Sequence, residues 1–153
     1  MADEMADRFG VNSELFRAII HVESSWNPLS RRYEPEYKYL YFYRDCASKF
    51  EIDPLVEERN QKTSWGLCQV MGAVAREQGF IGHLETLCIA PKGLEAGARH
   101  LRRFVERYGE DNESNIISAY NAGAARKDSS GMYRNQRYVD KVYIELRRLR
   151  QLS

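Results

Sequence analysis

The stretch Ala18-Ile19-Ile20-His21-Val22-Glu23-Ser24-Ser25-Trp26-Asn27-Pro28 puts one carboxylate at the end of an apolar helical run, five residues before a proline. At about 100° per residue, Phe16, Ile19, Ile20 and Glu23 fall within one arc about 100° wide, with Glu23 between Ile19 and Ile20. The acid is therefore expected to point towards the core side of its helix. Asn12 or Ser13 can cap that helix, with Glu14 in its first turn. Pro28 pushes Asn27 out of helical geometry, so the helix is expected to end near Ser24 or Ser25. Burial disfavours the charged carboxylate, and the last helical turn adds the negative end of the helix dipole. Both raise the proton affinity of Glu23, as a general acid working near neutral pH requires. Helix geometry alone leaves a second reading open, in which Glu23 pairs with an arginine or packs its stem while its head reaches water.

The rest of the chain bounds what that acid can belong to. With 153 residues, 43% hydrophobic and 29% charged, residues 1–153 are expected to form a single domain with its own core. Cys46, Cys68 and Cys88 are odd in number and lack CxxC spacing, so buried free thiols are expected rather than disulfides or a zinc knuckle. His21, His83 and His100 show no HExxH or comparable spacing, and no metal or other cofactor is expected. The net charge of +1 gives no case for nucleic-acid binding. Residues 126–150 nevertheless carry eight cationic against three acidic side chains. That patch suits an anionic polymer or, in part, an exposed helix end whose arginines offset its dipole. No apolar run reaches the ~20 residues of a membrane span. The opening MADEMADRFG lacks the regions of a signal peptide, so synthesis in the cytoplasm without a leader is expected.

Along the chain, Tyr33, Tyr37, Tyr39, Tyr41 and Tyr43 fall largely at period two, which suggests an extended or hairpin segment, while residues 44–50 could form a short helix. After a polar stretch at 57–63 comes SWGLCQVMGAVAREQGF, whose Val70, Val74 and Gln69 to Gln78 pattern suits a helix stopped at Gly79. Leu94, Ala98, Leu101, Val105 and Tyr108 recur at helical spacing and stop before Gly109. A shorter helical run at 115–120 breaks at Asn121-Ala122-Gly123. Residues 124–137 read as a loop, and Tyr138, Val142, Leu146 and Leu149 define a final amphipathic helix. The expected fold is mainly α, with one small β or extended insertion near residues 33–43.

Three further stretches bear on Glu23. GLCQ at 66–69 supplies a glycine for close backbone approach and a long amide. AYNAG at 119–123 ends a helix with a tyrosine and an asparagine before a glycine turn, and RYVDKV at 137–142 opens the last helix with another tyrosine. Each is weak alone. Their order after an ES dipeptide resembles the lytic transglycosylases of the lysozyme superfamily, which carry ES at a helix end, then GLMQ, AYNAG and YV-x-KV. The resemblance covers about residues 15–142. RRYEPEY followed by QKTSWGLCQVMGAVAREQGF looks especially like phage- or prophage-encoded members.

That resemblance implies a lysozyme-like domain (goose-type lysozyme and lytic transglycosylase) that cleaves the β-1,4 bond between N-acetylmuramic acid and N-acetylglucosamine in peptidoglycan, forming 1,6-anhydromuramic acid. Glu23 matches the catalytic acid. Gln69, Tyr120 and Asn121 match positions lining the family's cleft, and Tyr138 matches the tyrosine that opens the final helix. Its implied partners are peptidoglycan glycan strands, without nucleic acid or membrane insertion. A monomer is expected, acting on the wall from the periplasm after release, as an endolysin does, or as part of a virion. Two departures stand out. The methionine of GLMQ is Cys68 here. The family often places a serine and GA shortly after ES, whereas the substrate-binding candidate Ser64 follows Glu23 by about forty residues and the YEPEYKYLYFY segment.

The inserted tyrosines could stack on sugars or fill the core of a small hairpin, and the core is the favoured expectation. Glu34 could face Glu23 and orient a water, as in a goose-type hydrolase, or pair with Arg31, Arg32 or a backbone amide; Asp45 and Asp53 are poorer candidates. An inactive wall-binding virion module would keep the same fold, but the intact Glu23, Gln69, Tyr120 and Asn121 speak against it.

Overall fold

A computed structural model describes residues 1–153. Its elements run α1 (Ala2–Phe9), α2 (Ser13–Ser24), β1 (Arg31–Tyr33), α3 (Tyr43–Phe50), α4 (Pro54–Gln61), β2 (Thr63–Trp65), β3 (Val70–Met71) and α5 (Gly72–Glu77). A 3-10 turn (Leu84–Cys88), α6 (Ala90–Tyr108), α7 (Glu113–Ala122) and α8 (Gln136–Leu152) follow. The chain divides into two compact units, Met1–Val22 with Ala98–Ser153, and Glu23–Gly97, so the division falls inside α2 and α6. None of the helices is long and apolar enough to cross a membrane.

The first unit is helical and its core follows the apolar stripes of the sequence. Asn12 starts α2, its Oδ1 accepting the Leu15 amide at 2.8 Å. Phe16, Ile19 and Ile20 of α2, Leu101 and Phe104 of α6, Ile116 and Ile117 of α7, and Leu146 of α8 are fully buried. Each such side chain contributes about 1.5–3 kcal/mol relative to an exposed one. Helix α6 stops at Tyr108, before Gly109, as the spacing predicts. Helix α1, which the sequence reading passed over, is stopped by Gly10 at φ 61°. Part of the C-terminal positive charge is neutralised locally: Arg148 bonds Glu145 at 2.6 Å, and Arg150 bonds Glu113 at 2.9 Å.

The second unit is built from short elements and departs from expectation in three places. The helix expected from the Gln69 to Gln78 pattern begins only at Gly72. Thr63–Trp65 and Val70–Met71 instead form two strands of an antiparallel sheet of order β1-β2-β3, with Arg32 opposite Ser64 and Ser64 opposite Met71. The chain reverses between β2 and β3 because Gly66 and Gln69 both take positive φ, 69° and 49°. The expected tyrosine core is also overturned. β1 ends at Tyr33, residues 34–42 form no regular element, and Tyr33, Tyr39 and Tyr41 are exposed. The interior takes this segment by its backbone: the Gln61 side chain bonds the Tyr41 amide at 2.8 Å and its carbonyl at 2.9 Å. Tyr37 and Tyr39 meet edge-on at 5.8 Å.

The third departure is α4, at a stretch that reads as merely polar. Asp53 caps it, accepting from Leu55 and Val56 amides, and Pro54 occupies its first turn. Its buried side chains are Glu57, Asn60 and Gln61. Arg76 of α5 grips Glu57 through two hydrogen bonds of 2.7 and 2.8 Å, donates to the Phe80 carbonyl, and lies over the Phe50 ring at 4.4 Å. Gln61 donates to the same carboxylate at 3.0 Å. The three cysteines are free, yet only Cys68 is buried; Cys46 and Cys88 are half-buried, because both lie on elements with one solvent-facing side. Burial nonetheless pushes the thiols of Cys46 and Cys88 up.

Candidate active site

The candidate acid lies in the second unit with Glu34, Ser64 and Gln69, whereas Tyr120, Asn121 and Tyr138 lie in the first. Helix α2 ends at Ser24, one of the two expected positions. Glu23 is only partly buried, at the border of the stripe whose Phe16, Ile19 and Ile20 are fully covered. Beyond it Ser25 and Trp26 take φ 50° and 64°, an uncommon conformation for residues with a side chain. Their strain is held by local bonds. The Asn27 amide reaches back to the Ser24 carbonyl at 3.0 Å, and Asn27 Oδ1 accepts the Leu29 amide at 3.0 Å.

The ES dipeptide and the GLCQ turn are brought together, although Gly66 lies 42 positions beyond Ser24. Ser24 Oγ donates to the Leu67 carbonyl at 2.8 Å in a buried hydrogen bond, and the Gly66 amide donates to the Ser30 carbonyl at 2.7 Å. Glycine is required at 66: a Cβ there would collide with the Leu87 carbonyl and meet the Pro28 carbonyl. Gln69 locks the same junction. Its Nε2 donates to the carbonyls of Ser30 at 3.0 Å and Gly66 at 2.9 Å, while its Oε1 accepts from Ser64 Oγ at 2.9 Å. Three residues at positive φ, Ser25 and Trp26 after the candidate acid and Gln69 in the GLCQ turn, thus lie in a loop pair that its own hydrogen bonds over-determine, a pattern that recurs at functional sites.

Glu34 is held by its neighbour. Arg32 Nε and Nη2 both donate to Glu34 Oε1, at 3.1 and 2.6 Å, and the Glu34 amide bonds the Lys62 carbonyl at 2.8 Å. Asp53, as the cap of α4, is structural.

In the first unit, Tyr120 is buried in the last turn of α7 and Asn121 is exposed beside it. His100 of α6 fixes this corner. Its ring stands edge-on to Tyr120 at 4.7 Å and to Phe104 at 4.9 Å, and its Nε2 lies 3.1 Å from the Tyr120 carbonyl. Burial holds the His100 pKa down to about 4, so the imidazole is neutral and Nε2–H donates. Asn135 joins Asn121 to the start of α8. Asn135 Nδ2 donates to Asn121 Oδ1 and to the Ser118 carbonyl, both at 3.0 Å, and the Tyr138 amide donates to the Asn135 carbonyl at 2.9 Å. The sequence reading missed His100 and Asn135 as positioning residues. A residue just ahead of the last helix was the available signal for Asn135, whereas a buried histidine on an apolar stripe carries none.

A mainly helical chain with a three-stranded sheet, and a glutamate at a helix end bonded through its neighbour to a glycine turn, is consistent with a lysozyme-like domain. The transglycosylase SLT domain matches residues 1–142, and the chain belongs to that family. Its substrate class is accordingly peptidoglycan, and its activity that of the lytic transglycosylases. No solved structure matches the chain.

Proposed function

We propose that residues 1–153 form one catalytic domain that cleaves the β-1,4 bond between N-acetylmuramic acid and N-acetylglucosamine, with Glu23 as acid and then base. The observation that carries the reading is the buried Ser24 Oγ to Leu67 carbonyl bond, which ties the ES dipeptide to the GLCQ turn. The Glu23 carboxyl protonates the glycosidic oxygen as the C1–O bond breaks and positive charge develops at C1. The resulting carboxylate takes the proton of the muramic C6 hydroxyl, whose oxygen closes on C1. The ring that forms is 1,6-anhydromuramic acid; Glu23 ends protonated as it began, and no water is consumed. Tyr120, Asn121 and Tyr138 are the candidate glycan contacts of the first unit, and Gln69 with Ser64 holds the GLCQ turn of the second.

In the hydrolytic alternative Glu34, paired with Arg32 through Oε1, would activate water, and the products separate the two readings. We propose further that the enzyme is phage- or prophage-encoded and reaches the wall on release or within a virion; RRYEPEY and the stretch around GLCQ support this. Mass spectrometry of digested peptidoglycan tests the chemistry. Anhydro-muropeptides, one water lighter than reducing-end products, are expected. Reducing ends alone would establish a hydrolase. Glu23→Gln is expected to lower the rate of wall lysis by at least about a hundredfold, and an unchanged rate would remove Glu23 from the role of acid.

A further inference from the structure

The second unit carries a cavity of about 380 Å³ that takes no part in the bond cleavage proposed above, lined by Tyr33, Leu55, Val56, Glu58, Arg59 and Lys62. It exists because α4 is turned inside out. With Glu57, Asn60 and Gln61 committed to the interior, Leu55 and Val56 are left outside, 75% and 43% exposed. Between them and β1 the Arg59 guanidinium lies over the Tyr33 ring, 4.5 Å from its centre. No carboxylate of the chain pairs with Arg59, whereas Glu58 is committed to Lys62 at 3.3 Å. The wall therefore offers one uncompensated, planar cation, oriented by an aromatic face and flanked by aliphatic surface.

That combination fits a carboxylate attached to small aliphatic groups. A guanidinium held by stacking presents its remaining N–H fork to a carboxylate with little further loss of side-chain freedom, and nearby apolar surface strengthens the pair. Tyr33, Leu55 and Val56 supply apolar surface beside that cation, and Glu58 and Lys62 already pair with each other. In peptidoglycan the glycan is joined to short peptides that carry free carboxylates and methyl side chains. We infer that the cavity between β1 and α4 binds the acidic peptide arm of the substrate, with Arg59 taking a carboxylate and Leu55 and Val56 the aliphatic groups beside it. The inference rests on the peptidoglycan reading above and adds a second point of recognition to it.

Two measurements separate this inference from that reading. Initial rates are compared on glycan strands that keep their peptides and on the same strands stripped by an amidase. Arg59→Ala is expected to lower kcat/KM about tenfold on the peptide-bearing strands and to leave the stripped strands unaffected; Arg59→Lys, which keeps the charge but loses the fork, falls between. An equal loss on both substrates, or none on either, overturns the inference. Binding is then followed by NMR on the Glu23→Gln protein with two probes, a disaccharide-tetrapeptide and the bare disaccharide. The Arg59 side-chain resonance is expected to shift with the first alone. A shift with both probes, or with neither, overturns the inference even where turnover is intact. If wild-type protein cuts neither kind of strand but the peptide probe still shifts Arg59, the inference stands and the catalytic reading fails.

Discussion

Helices α8 and α4 bury different kinds of side chain. α8 hides Val139, Val142, Leu146 and Leu149 with a single carboxylate, Glu145, whereas α4 hides Glu57, Asn60 and Gln61 and leaves Leu55 and Val56 outside. A buried apolar side chain gains from any close neighbour, so α8 depends on area and tolerates changes of similar volume. A buried polar group must find partners of correct geometry or lose the full cost of leaving water. α4 therefore depends on a few directional contacts, above all Arg76, which reaches Glu57 from 19 residues away. The consequence reaches the surface, because the α4 arrangement also leaves the cavity beside Arg59.

The sharpest way to break this contrast is to remove one partner. Arg76→Met strands a carboxylate with side-chain exposure of only 1%, and is expected to destabilise the protein by about 3–5 kcal/mol in urea unfolding. The double change Glu57→Leu/Arg76→Met is expected to recover much of that loss, since no charge then remains buried. If the double variant were no more stable than the single one, packing rather than charge compensation would be what α4 requires.

His100 brings the same logic into the apolar unit. Its pKa is lowered from an ordinary 6.5 to about 4 by burial, so the folded state binds fewer protons than the unfolded one between those values. Its contribution is complete above about pH 6.5 and is lost as pH falls towards 4. At about 1.36 kcal/mol per pH unit the loss approaches about 3 kcal/mol. His100→Phe is expected to flatten this part of the stability profile. A slope over that range identical in the variant would assign it to other groups.

Gly66→Ala comes next. The new Cβ must tolerate φ 69° and collide with the Leu87 carbonyl, at a cost of about 2 kcal/mol. Because Gly66 also receives the ES loop through Ser30, lysis should fall further than stability alone explains. A variant with normal activity would uncouple the GLCQ turn from Glu23.

These regions also differ in how far the sequence discloses them. α2, α6 and α8 could be read because apolar burial leaves a period, and Asn12 and Gly109 mark ends by local chemistry. α4 could not, since its buried residues are polar and their partners, Arg76 and the Tyr41 backbone, lie elsewhere in the chain. At the candidate site, the order of ES, GLCQ and AYNAG pointed to the family. Ser24 and Gln69 act on backbone carbonyls, which no residue type announces, so the way the turns are joined was not legible. Nor was the helix start at Gly72: the helical pattern begins at Gln69, and the positive φ of Gln69 in the turn overrides it there.

The tyrosine segment gives the smallest expected effect and a clean test of its corrected placement. Tyr39 is 81% exposed, and its ring meets Tyr37 edge-on, outside any core. Were the segment a hairpin core, truncating Tyr39 would cost about 3 kcal/mol or more. With the ring in solvent, Tyr39→Ser is expected to change stability by no more than about 0.5 kcal/mol. Gln61→Leu would strip both hydrogen bonds from the Tyr41 backbone and should cost more than the loss of the ring, by about 1–3 kcal/mol. That ordering, an interior glutamine outweighing an aromatic ring, follows only if the second unit is organised by directional polar contacts; the reverse ordering would return the tyrosines to the core.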